Sequence, residues 1–320
     1  MTDDVWTVKR ILEWIEGYLA QHADGNPRVS AQWLVAEAIG VSRMQLFLDA
    51  ERPLTADERA LLRDWTRRRG AGEPLQYITG ETAFRHINVK VRPGVLIPRP
   101  ETEVLVSEAL ALLPAAEKPQ DALDREVLRQ LAEIGEIEHD EAGEDSDIML
   151  LVADICTGSG CIACSIAYEH PRAHVIATDI SPEAASLARE NVETLGLSER
   201  VDVLECDLGE GIDERRMGEL DLVVSNPPYI PTDVLARLPE EVAQHEPALA
   251  LDGGTDGLAV FRRLLEWCAV ALKPGGGLAF ELHETCLNDA AAEADYAGFA
   301  NVRIVEDLAG RPRILTARKR

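Results

Sequence analysis

Residues 148–160 read Ile-Met-Leu-Leu-Val-Ala-Asp-Ile-Cys-Thr-Gly-Ser-Gly. The first six residues, 148–153, are apolar and predict a buried strand, and the glycine-rich loop that follows opens a helical pattern. Gly158 and Gly160 let the backbone approach a ligand, and the N-terminus of the next helix favours partial negative charge. Cys156 occupies the position of the first glycine, and the loop is not a G-x-G-x-x-G motif, so it is weak support for dinucleotide binding.

Three further predicted strands each lead to a polar residue. The second ends at Asp179, the third at Asp207 and the fourth at Asn226. These three strands are predicted at residues 174–178, 201–205 and 221–225. Helices are predicted at residues 182–195 and 258–272, and further strands at residues 278–281, 302–305 and 313–317. Repeating strand–helix units predict an α/β fold with a doubly wound, mostly parallel sheet.

The acidic residues at the strand ends suit an adenosine-type ligand. Asp179 lies 19 residues after Gly160, where a carboxylate can accept both ribose hydroxyls. Asp207 ends the next strand and is expected to face the adenine. The chain has no P-loop lysine, which argues against nucleoside triphosphate hydrolysis.

The fourth strand leads into the pentapeptide Asn226-Pro-Pro-Tyr-Ile230. Consecutive prolines offer no N–H to a sheet ladder, so the strand must stop there. The turn then presents Asn226 and Tyr229 at the carboxyl edge of the sheet, where open α/β folds bind ligands. An amide, a ring and free proline carbonyls suit a planar nitrogen-containing group, although Asn-Pro also begins ordinary turns.

Composition narrows the function classes. The formal net charge of the 320 residues is −25, whereas a protein that grips nucleic-acid phosphates needs a basic face. We therefore expect no direct nucleic-acid binding, and a basic protein partner fits better. The N-terminus lacks a signal-peptide pattern, and no apolar run is long enough to span a membrane. Six scattered cysteines fit free thiols in the cytoplasm, and the Cys161/Cys164 pair has no partner pair at zinc spacing, so we expect no metal.

The N-terminal part predicts a separate helical domain. Apolar residues recur at helical spacing from Val8 to Leu19, Ser30 is a candidate cap for a second helix, and residues 55–58 have capping-box spacing. Residues in these apolar patterns, including Met44 and Phe47, are expected to lie in the domain core.

Two segments follow with different character. Within residues 76–100, apolar and polar residues alternate, which predicts a β-hairpin linker. Residues 101–113 have the apolar periodicity of a helix. Between Glu117 and Asp147 there are twelve acidic and three basic residues, a net charge of −9. We interpret residues of about 114–147 as an acidic surface insertion whose second half is disordered.

Together, Asp154, Gly158, Gly160, Asp179 and the Asn226–Tyr229 motif resemble the class I S-adenosylmethionine-dependent methyltransferases that methylate nitrogen. Within them the chain resembles the PrmC/HemK family, the protein glutamine methyltransferases that modify peptide-chain release factors. Further blocks carry this resemblance, at residues 74–80, 95–103, 245–247, 254–258 and 307–311. The chain departs from the family at Cys156, where glycine is usual, and in the acidic insertion.

The resemblance implies a Rossmann-like mixed seven-stranded sheet. It also implies three parts: a substrate-recognition domain at residues 1–75, the hairpin linker 76–100 and the methyltransferase domain 101–320. The expected enzyme is a cytoplasmic monomer that uses S-adenosyl-L-methionine and has release factors as protein substrates.

The resemblance also assigns the site. The cofactor would be bound by Asp154, Cys156, Thr157, Gly158, Ser159, Gly160, Asp179, Asp207, Leu208 and Asn226. The substrate glutamine would meet Asn226, Pro227, Pro228 and Tyr229, of which Asn226, Pro227 and Tyr229 are expected to be catalytic. Asn226 Oδ1 and the Pro227 carbonyl would accept the two amide N–H groups of the glutamine, and Tyr229 would pack against it.

Alternatives remain open on sequence grounds. Residues 156–162 also resemble the enzymes that methylate glutamine in a large-subunit ribosomal protein, although the Pro98–Glu103 block favours the release-factor branch. An N6-adenine methyltransferase shares the motif but would have to extrude a base, and a non-enzymatic binding module is a further class. Phe84, Arg99, Glu101 and His245–Glu246 are secondary candidates whose alternative roles are packing or loop structure.

Overall fold

The computed structural model describes residues 5–22, 24–115, 148–235 and 246–320, so the acidic segment 116–147 lies outside the described residues. The described chain forms two compact units. The first comprises residues 5–22, 24–82, 91–93 and 246, and the second comprises residues 83–90, 94–115, 148–235 and 247–320. No helix of the described residues has the length and apolarity needed to cross a membrane.

The first unit is helical. Its helices are α1 (Val8–Ala20), α2 (Pro27–Ile39), α3 (Gln45–Leu48), α4 (Ala56–Gly70) and α5 (Leu75–Thr79). The expected capping box is confirmed, because Thr55 and Glu58 each bond the backbone N–H of the other. The expected Ser30 cap is wrong: the cap of α2 is Asn26, four residues earlier, and Pro27 begins the helix.

The core of this unit follows the apolar stripe of α1. Val8, Ile15 and Leu19 are fully buried, as helical periodicity predicts. Met44 and Phe47 are 78% and 62% exposed, so placing them in the core was wrong. The four-residue helix α3 buries only Leu46, because a single turn cannot turn all of its apolar residues inward.

A β-hairpin, β1 (Glu81–Phe84) and β2 (Ile87–Lys90), follows as predicted. The remaining helices are α6 (Thr102–Leu112), α7 (Cys161–Glu169), α8 (Pro182–Thr194), α9 (Thr232–Leu235), α10 (Ala259–Ala271) and α11 (Leu287–Tyr296). The strands are β3 (Leu150–Ile155), β4 (Ala173–Asp179), β5 (Val201–Glu205), β6 (Leu220–Ser225), β7 (Leu272–Glu281), β8 (Phe299–Glu306) and β9 (Pro312–Lys319).

These seven strands form one sheet in the order β5-β4-β3-β6-β7-β9-β8. The first five are parallel, and β9 runs antiparallel to both β7 and β8. The mixed seven-stranded sheet is the predicted class I methyltransferase fold. The strand order reverses between β3 and β6, which creates the switch point where such sheets bind ligands.

Alternate residues of the central strands enter two apolar cores. Leu150 and Val152 face one core together with residues of α6 and α7. Leu151 and Ala153 face the other, with residues of α10 and α11. Cys161 and Cys164 are buried free thiols in the first core, and no group of three or more metal-ligating side chains occurs among the described residues.

Several strand boundaries differ from the sequence prediction, and those at the starts of β3 and β7 are instructive. Strand β3 begins at Leu150 and includes Asp154, since the preceding Ile148 and Met149 are more than half exposed. Strand β7 begins at Leu272, because Leu272 pairs with Leu220 before the register shifts. The sequence prediction treated residues 273–277 as a turn on account of their proline and glycines.

Candidate active site

The carboxyl ends of four neighbouring strands form one row across the sheet. In register, Thr178 and Ser225 lie beside Ile155, and Ser225 lies beside Phe280. The next residues are therefore level with one another, in the order Asp179, Cys156, Asn226 and Glu281. A cavity of about 240 Å³ opens at this edge.

The cavity collects most of the predicted site. Nine of the predicted residues line it: Cys156, Thr157, Gly158, Ser159, Asp179, Asp207, Leu208, Asn226 and Pro228. Asp154, Gly160, Pro227 and Tyr229 lie next to this lining but are not part of it. Of the secondary candidates, Arg99 lines the cavity, Phe84 is buried in the core, and His245 is outside the described residues.

The loop after β3 uses left-handed backbone at three positions. The φ angles are 60° at Cys156, 57° at Gly158 and 79° at Gly160. A Cβ on Gly160 would lie 3.1 Å from the Ala188 Cβ of α8, so this glycine also permits close helix packing. Left-handed backbone costs a residue with a Cβ roughly 1–2 kcal/mol, which explains physically why glycine suits position 156.

Asp154 anchors this loop from below. Its Oδ2 accepts the Thr157 hydroxyl at 2.5 Å and the Ala163 backbone N–H at 3.0 Å. Complete burial raises the pKa of Asp154 to about 7. The carboxyl therefore ties the loop to the first turn of α7, and in this structure it sits behind the cavity wall.

Asp179 reaches the loop from the neighbouring strand. Its two carboxylate oxygens accept the backbone N–H groups of Gly158 at 2.8 Å and Ser181 at 2.9 Å. Burial raises the pKa of this carboxyl, and the backbone hydrogen bonds oppose the rise. A carboxylate offers about four lone-pair sites, so the backbone donors Gly158, Ile180 and Ser181 leave it able to accept from a ligand hydroxyl.

Asp207 has a partner that the sequence did not suggest. Its Oδ2 accepts from the Arg263 guanidinium of α10 at 2.7 Å, and both residues line the cavity. The pair places a cation and an anion at the end of the cavity formed by β5 and α10.

The side chains of the Asn-Pro-Pro-Tyr motif are held by two residues that sequence reasoning missed. Asn226 Nδ2 donates to Thr102 Oγ1 at 3.2 Å, and the Thr102 hydroxyl donates to Glu281 Oε2 at 2.7 Å. The Tyr229 hydroxyl donates to Glu281 Oε1 at 3.2 Å. One carboxylate therefore supports both polar side chains of the motif.

A sequence signal for Glu281 existed. Glu281 is a charged residue at the end of the predicted strand 278–281. If that strand is parallel to the strand before Asn226, both residues lie at the same edge of the sheet. Thr102 gave no comparable signal, because its place beside Asn226 depends on the tertiary position of α6.

The backbone of the motif is enclosed by a second glycine-rich segment. The Ile230 N–H donates to the Leu251 carbonyl, and the Gly253 N–H returns to the Ile230 carbonyl. A Cβ on Gly253 would lie 2.7 Å from the Tyr229 Cα, and one on Gly257 would lie 2.5 Å from the Tyr229 carbonyl oxygen. Only glycine fits at these positions without displacing the motif.

Comparison with known proteins agrees with this architecture. The family model described as the PrmC N-terminal domain matches residues 10–80, and the methyltransferase small domain matches residues 145–244. The catalytic domain of hMettl16, solved in complex with the MAT2A 3'UTR hairpin 6, shares the fold with a TM-score of 0.50 at 14% identity. That match covers 81% of each chain.

Curated relatives match over nearly the full length. The release factor glutamine methyltransferase of Geobacter sulfurreducens is 36% identical over 315 residues, covering 98% of each chain. The enzyme of the same name from Chlorobaculum tepidum is 37% identical over 309 residues, covering 95% of each chain. The chain therefore belongs to the family of release factor glutamine methyltransferases.

Proposed function

We propose that this enzyme transfers a methyl group from S-adenosyl-L-methionine to the side-chain amide nitrogen of the glutamine in the Gly-Gly-Gln motif of peptide-chain release factors. The observation that carries the proposal is the arrangement of Asn226. Its side-chain NH₂ group donates a hydrogen bond to Thr102. The other end of the amide, Oδ1, is therefore available to accept one. The names of the relatives supply the class of substrate.

The cavity fits the proposed cofactor. The acidic side chains of Asp179 and Asp207 line the cavity together with the loop residue Gly158, and this set suits the hydroxyls and ring of an adenosine. Asp179 would bind the ribose hydroxyls, and the Leu208 side chain with Asp207 would border the adenine. Bound S-adenosyl-L-methionine supplies an electrophilic methyl group on its sulfonium sulfur.

The residues of the chain solve the problem of a weak nucleophile. An amide nitrogen reacts poorly because its lone pair is delocalised, so the site must hold it close and correctly oriented. Asn226 Oδ1 and the Pro227 carbonyl would each accept one N–H of the target amide. The Pro227 carbonyl accepts no hydrogen bond from the described residues, so it is available to the target amide. Two fixed acceptors favour the positive charge that develops on nitrogen.

The proton of the methylated nitrogen leaves after transfer, so the reaction needs no strong base. The Tyr229 hydroxyl stays protonated because burial and the nearby Glu281 raise its pKa. The ring of Tyr229 would therefore pack against the glutamine, while its hydroxyl donates a hydrogen bond to Glu281.

We propose that the helical residues 1–75 recognise the release factor, that residues 76–100 link them to the catalytic domain, and that Pro228 completes the substrate-binding surface. The enzyme would act as a monomer in the cytoplasm, the compartment that contains both release factors and S-adenosyl-L-methionine. The net charge of −25 favours a substrate with a basic docking face.

The test is mass spectrometry of purified release factors after incubation with the enzyme and S-adenosyl-L-methionine. A gain of one methylene unit on the Gly-Gly-Gln glutamine supports the proposal. The matched control is a release factor with that glutamine replaced by glutamate, which should gain nothing. Methylation of a ribosomal protein or an RNA adenine in parallel reactions, with the release factor unmodified, would overturn the assignment.

A further inference from the structure

Glu281 is a completely buried carboxylate that joins two separate parts of the site. Its residue is 0% exposed, and Thr102 is 2% exposed. Its Oε2 accepts a hydrogen bond from the Thr102 hydroxyl at the start of α6, and its Oε1 accepts one from the Tyr229 hydroxyl of the motif. Glu281 and Tyr229 do not line the cavity, whereas Thr102 does.

The direction of these hydrogen bonds is fixed by the available protons. A threonine hydroxyl has one proton, and Thr102 uses it to donate a hydrogen bond to Glu281 Oε2. The Thr102 oxygen therefore faces Asn226 as an acceptor and takes the Nδ2–H at 3.2 Å. An ionised Glu281 thus orients the Asn226 amide through Thr102, with Oδ1 directed away from Thr102.

We propose that Glu281 is a positioning residue for methyl transfer: through Thr102 and Tyr229, its carboxylate holds Asn226 with Oδ1 presented to the target amide nitrogen. The inference rests on the proposed function, because it assigns how the acceptor of that reaction is oriented. Glu281 itself touches neither cofactor nor substrate.

A purely structural role does not explain a carboxylate here. Burying a charge costs several kcal/mol, and apolar side chains of the same volume usually stabilise a core at least as well. No guanidinium or ammonium group among the described residues forms an ion pair with Glu281 within 4 Å. Its hydrogen bonds are instead those of the two hydroxyls of the site.

The charges around Glu281 make its protonation state matter near neutral pH. Burial raises its pKa to about 7; Glu101 beside α6 adds to the rise, while the Thr102 and Tyr229 hydroxyls and Arg313 of β9 oppose it. A protonated Glu281 carries a donor where Thr102 or Tyr229 already donates, so one contact must break or reverse. Activity should therefore rise with pH as Glu281 ionises.

The decisive variant is Glu281→Gln, which keeps volume and shape but puts a donor NH₂ in place of one acceptor oxygen. We expect kcat to fall roughly 10- to 100-fold, the equivalent of one buried polar mismatch. The cofactor Kd should stay within about twofold, since Glu281 does not line the cavity. The loss of rate at pH values below about 7 should also disappear. The matched control is Glu266→Gln on the exposed face of α10, which should behave as wild type.

Two variants of Thr102 test whether Glu281 acts on Asn226 through the Thr102 hydroxyl. Thr102→Val removes the hydroxyl and should lower kcat as Glu281→Gln does, whereas Thr102→Ser should retain most of the rate that Thr102→Val loses. Combining Thr102→Val with Glu281→Gln should cost little more than either change alone, because both interrupt one path. Additive losses would overturn the proposal, as would a Glu281→Gln enzyme with unchanged kcat.

A substrate-free readout separates this inference from the proposed function. In enzyme labelled with ¹⁵N-asparagine, the Asn226 side-chain NH₂ signal should shift in Glu281→Gln and Thr102→Val but not in Glu266→Gln. An unmoved signal in both site variants refutes the orientation. If wild-type enzyme methylates a different protein, the proposed function fails, while the variant-to-wild-type rate ratio on that protein still tests Glu281.

Discussion

The carboxylate of Asp179 accepts the backbone N–H of Gly158 at 2.8 Å, across 21 residues of sequence. The end of β4 thus holds the loop that follows β3. Asp179 also lines the cavity, so the residue that holds the loop is at the same time a wall of the candidate site.

Asp179→Ala should weaken S-adenosyl-L-methionine binding by about 1–3 kcal/mol, because buried polar groups lose their partners. Isothermal titration calorimetry measures the change. Asp202→Ala is the matched control, since Asp202 is an exposed residue of β5 whose partner is His174. Unchanged affinity in Asp179→Ala would refute the ribose assignment.

Asn226→Ala should lower the rate of methyl transfer by at least roughly 10²-fold, as loss of one electrostatic contact to the developing charge does. Cofactor affinity should change only severalfold. Asn288→Ala, at an exposed position of α11, controls for the loss of an amide. A release factor methylated at the normal rate by Asn226→Ala would exclude the proposed role.

Cys156 tests the cost of left-handed backbone. Cys156→Gly should change the free energy of unfolding by less than about 1 kcal/mol, because relief at φ 60° offsets the greater freedom of glycine in the unfolded chain. Cys156→Val should destabilise the fold by about 2 kcal/mol, because a β-branched residue tolerates this backbone poorly. Urea denaturation distinguishes the two, and equal stability of the variants would contradict the reasoning.

Gly253→Ala should displace the motif, because its Cβ would lie 2.7 Å from the Tyr229 Cα. We expect a loss of at least about 2 kcal/mol in stability together with most of the activity. Gly17→Ala is the matched control: Gly17 is an exposed position of α1 with open space around it. That change should stabilise the protein by up to about 1 kcal/mol.

Asp154 should make stability depend on pH. Its pKa in the folded protein is about 7, against an ordinary value of 3.8, so the folded state binds more protons between these values. This contribution to stability is complete below about pH 3.8 and is lost as pH rises through 7, with a slope of at most about 1.4 kcal/mol per pH unit. Urea midpoints from pH 5 to 8 should fall less steeply for Asp154→Asn than for wild type. Parallel slopes would show that Asp154 does not titrate in this range.

Local patterns were sufficient for the elements that carry the candidate site. Strand ends at Asp179 and Asn226 and the loop of Gly158 and Gly160 follow from apolar runs that stop at polar or glycine residues. A parallel sheet brings such ends to one edge, so their proximity could be predicted without coordinates.

Other features depend on distances that sequence patterns do not contain. Thr102 and Glu281 are 179 residues apart, yet their side chains lie 2.7 Å from each other, because α6 packs over the end of β7. The pairing of Arg263 with Asp207 likewise depends on where α10 lies. The Ser30 cap failed for a local reason, since Asn26 with Pro27 provides a stronger helix start.

Strand β9 lies between β7 and β8, although it follows both in the chain. During synthesis the edge of β7 therefore has no partner until residues 312–319 have left the ribosome. Glu281 lies opposite Ile314 in that pairing, so its final surroundings form only then. The nascent chain carries Asn226 and Tyr229 long before it can orient them, and competence for methyl transfer should appear only when translation of these last strands is finished.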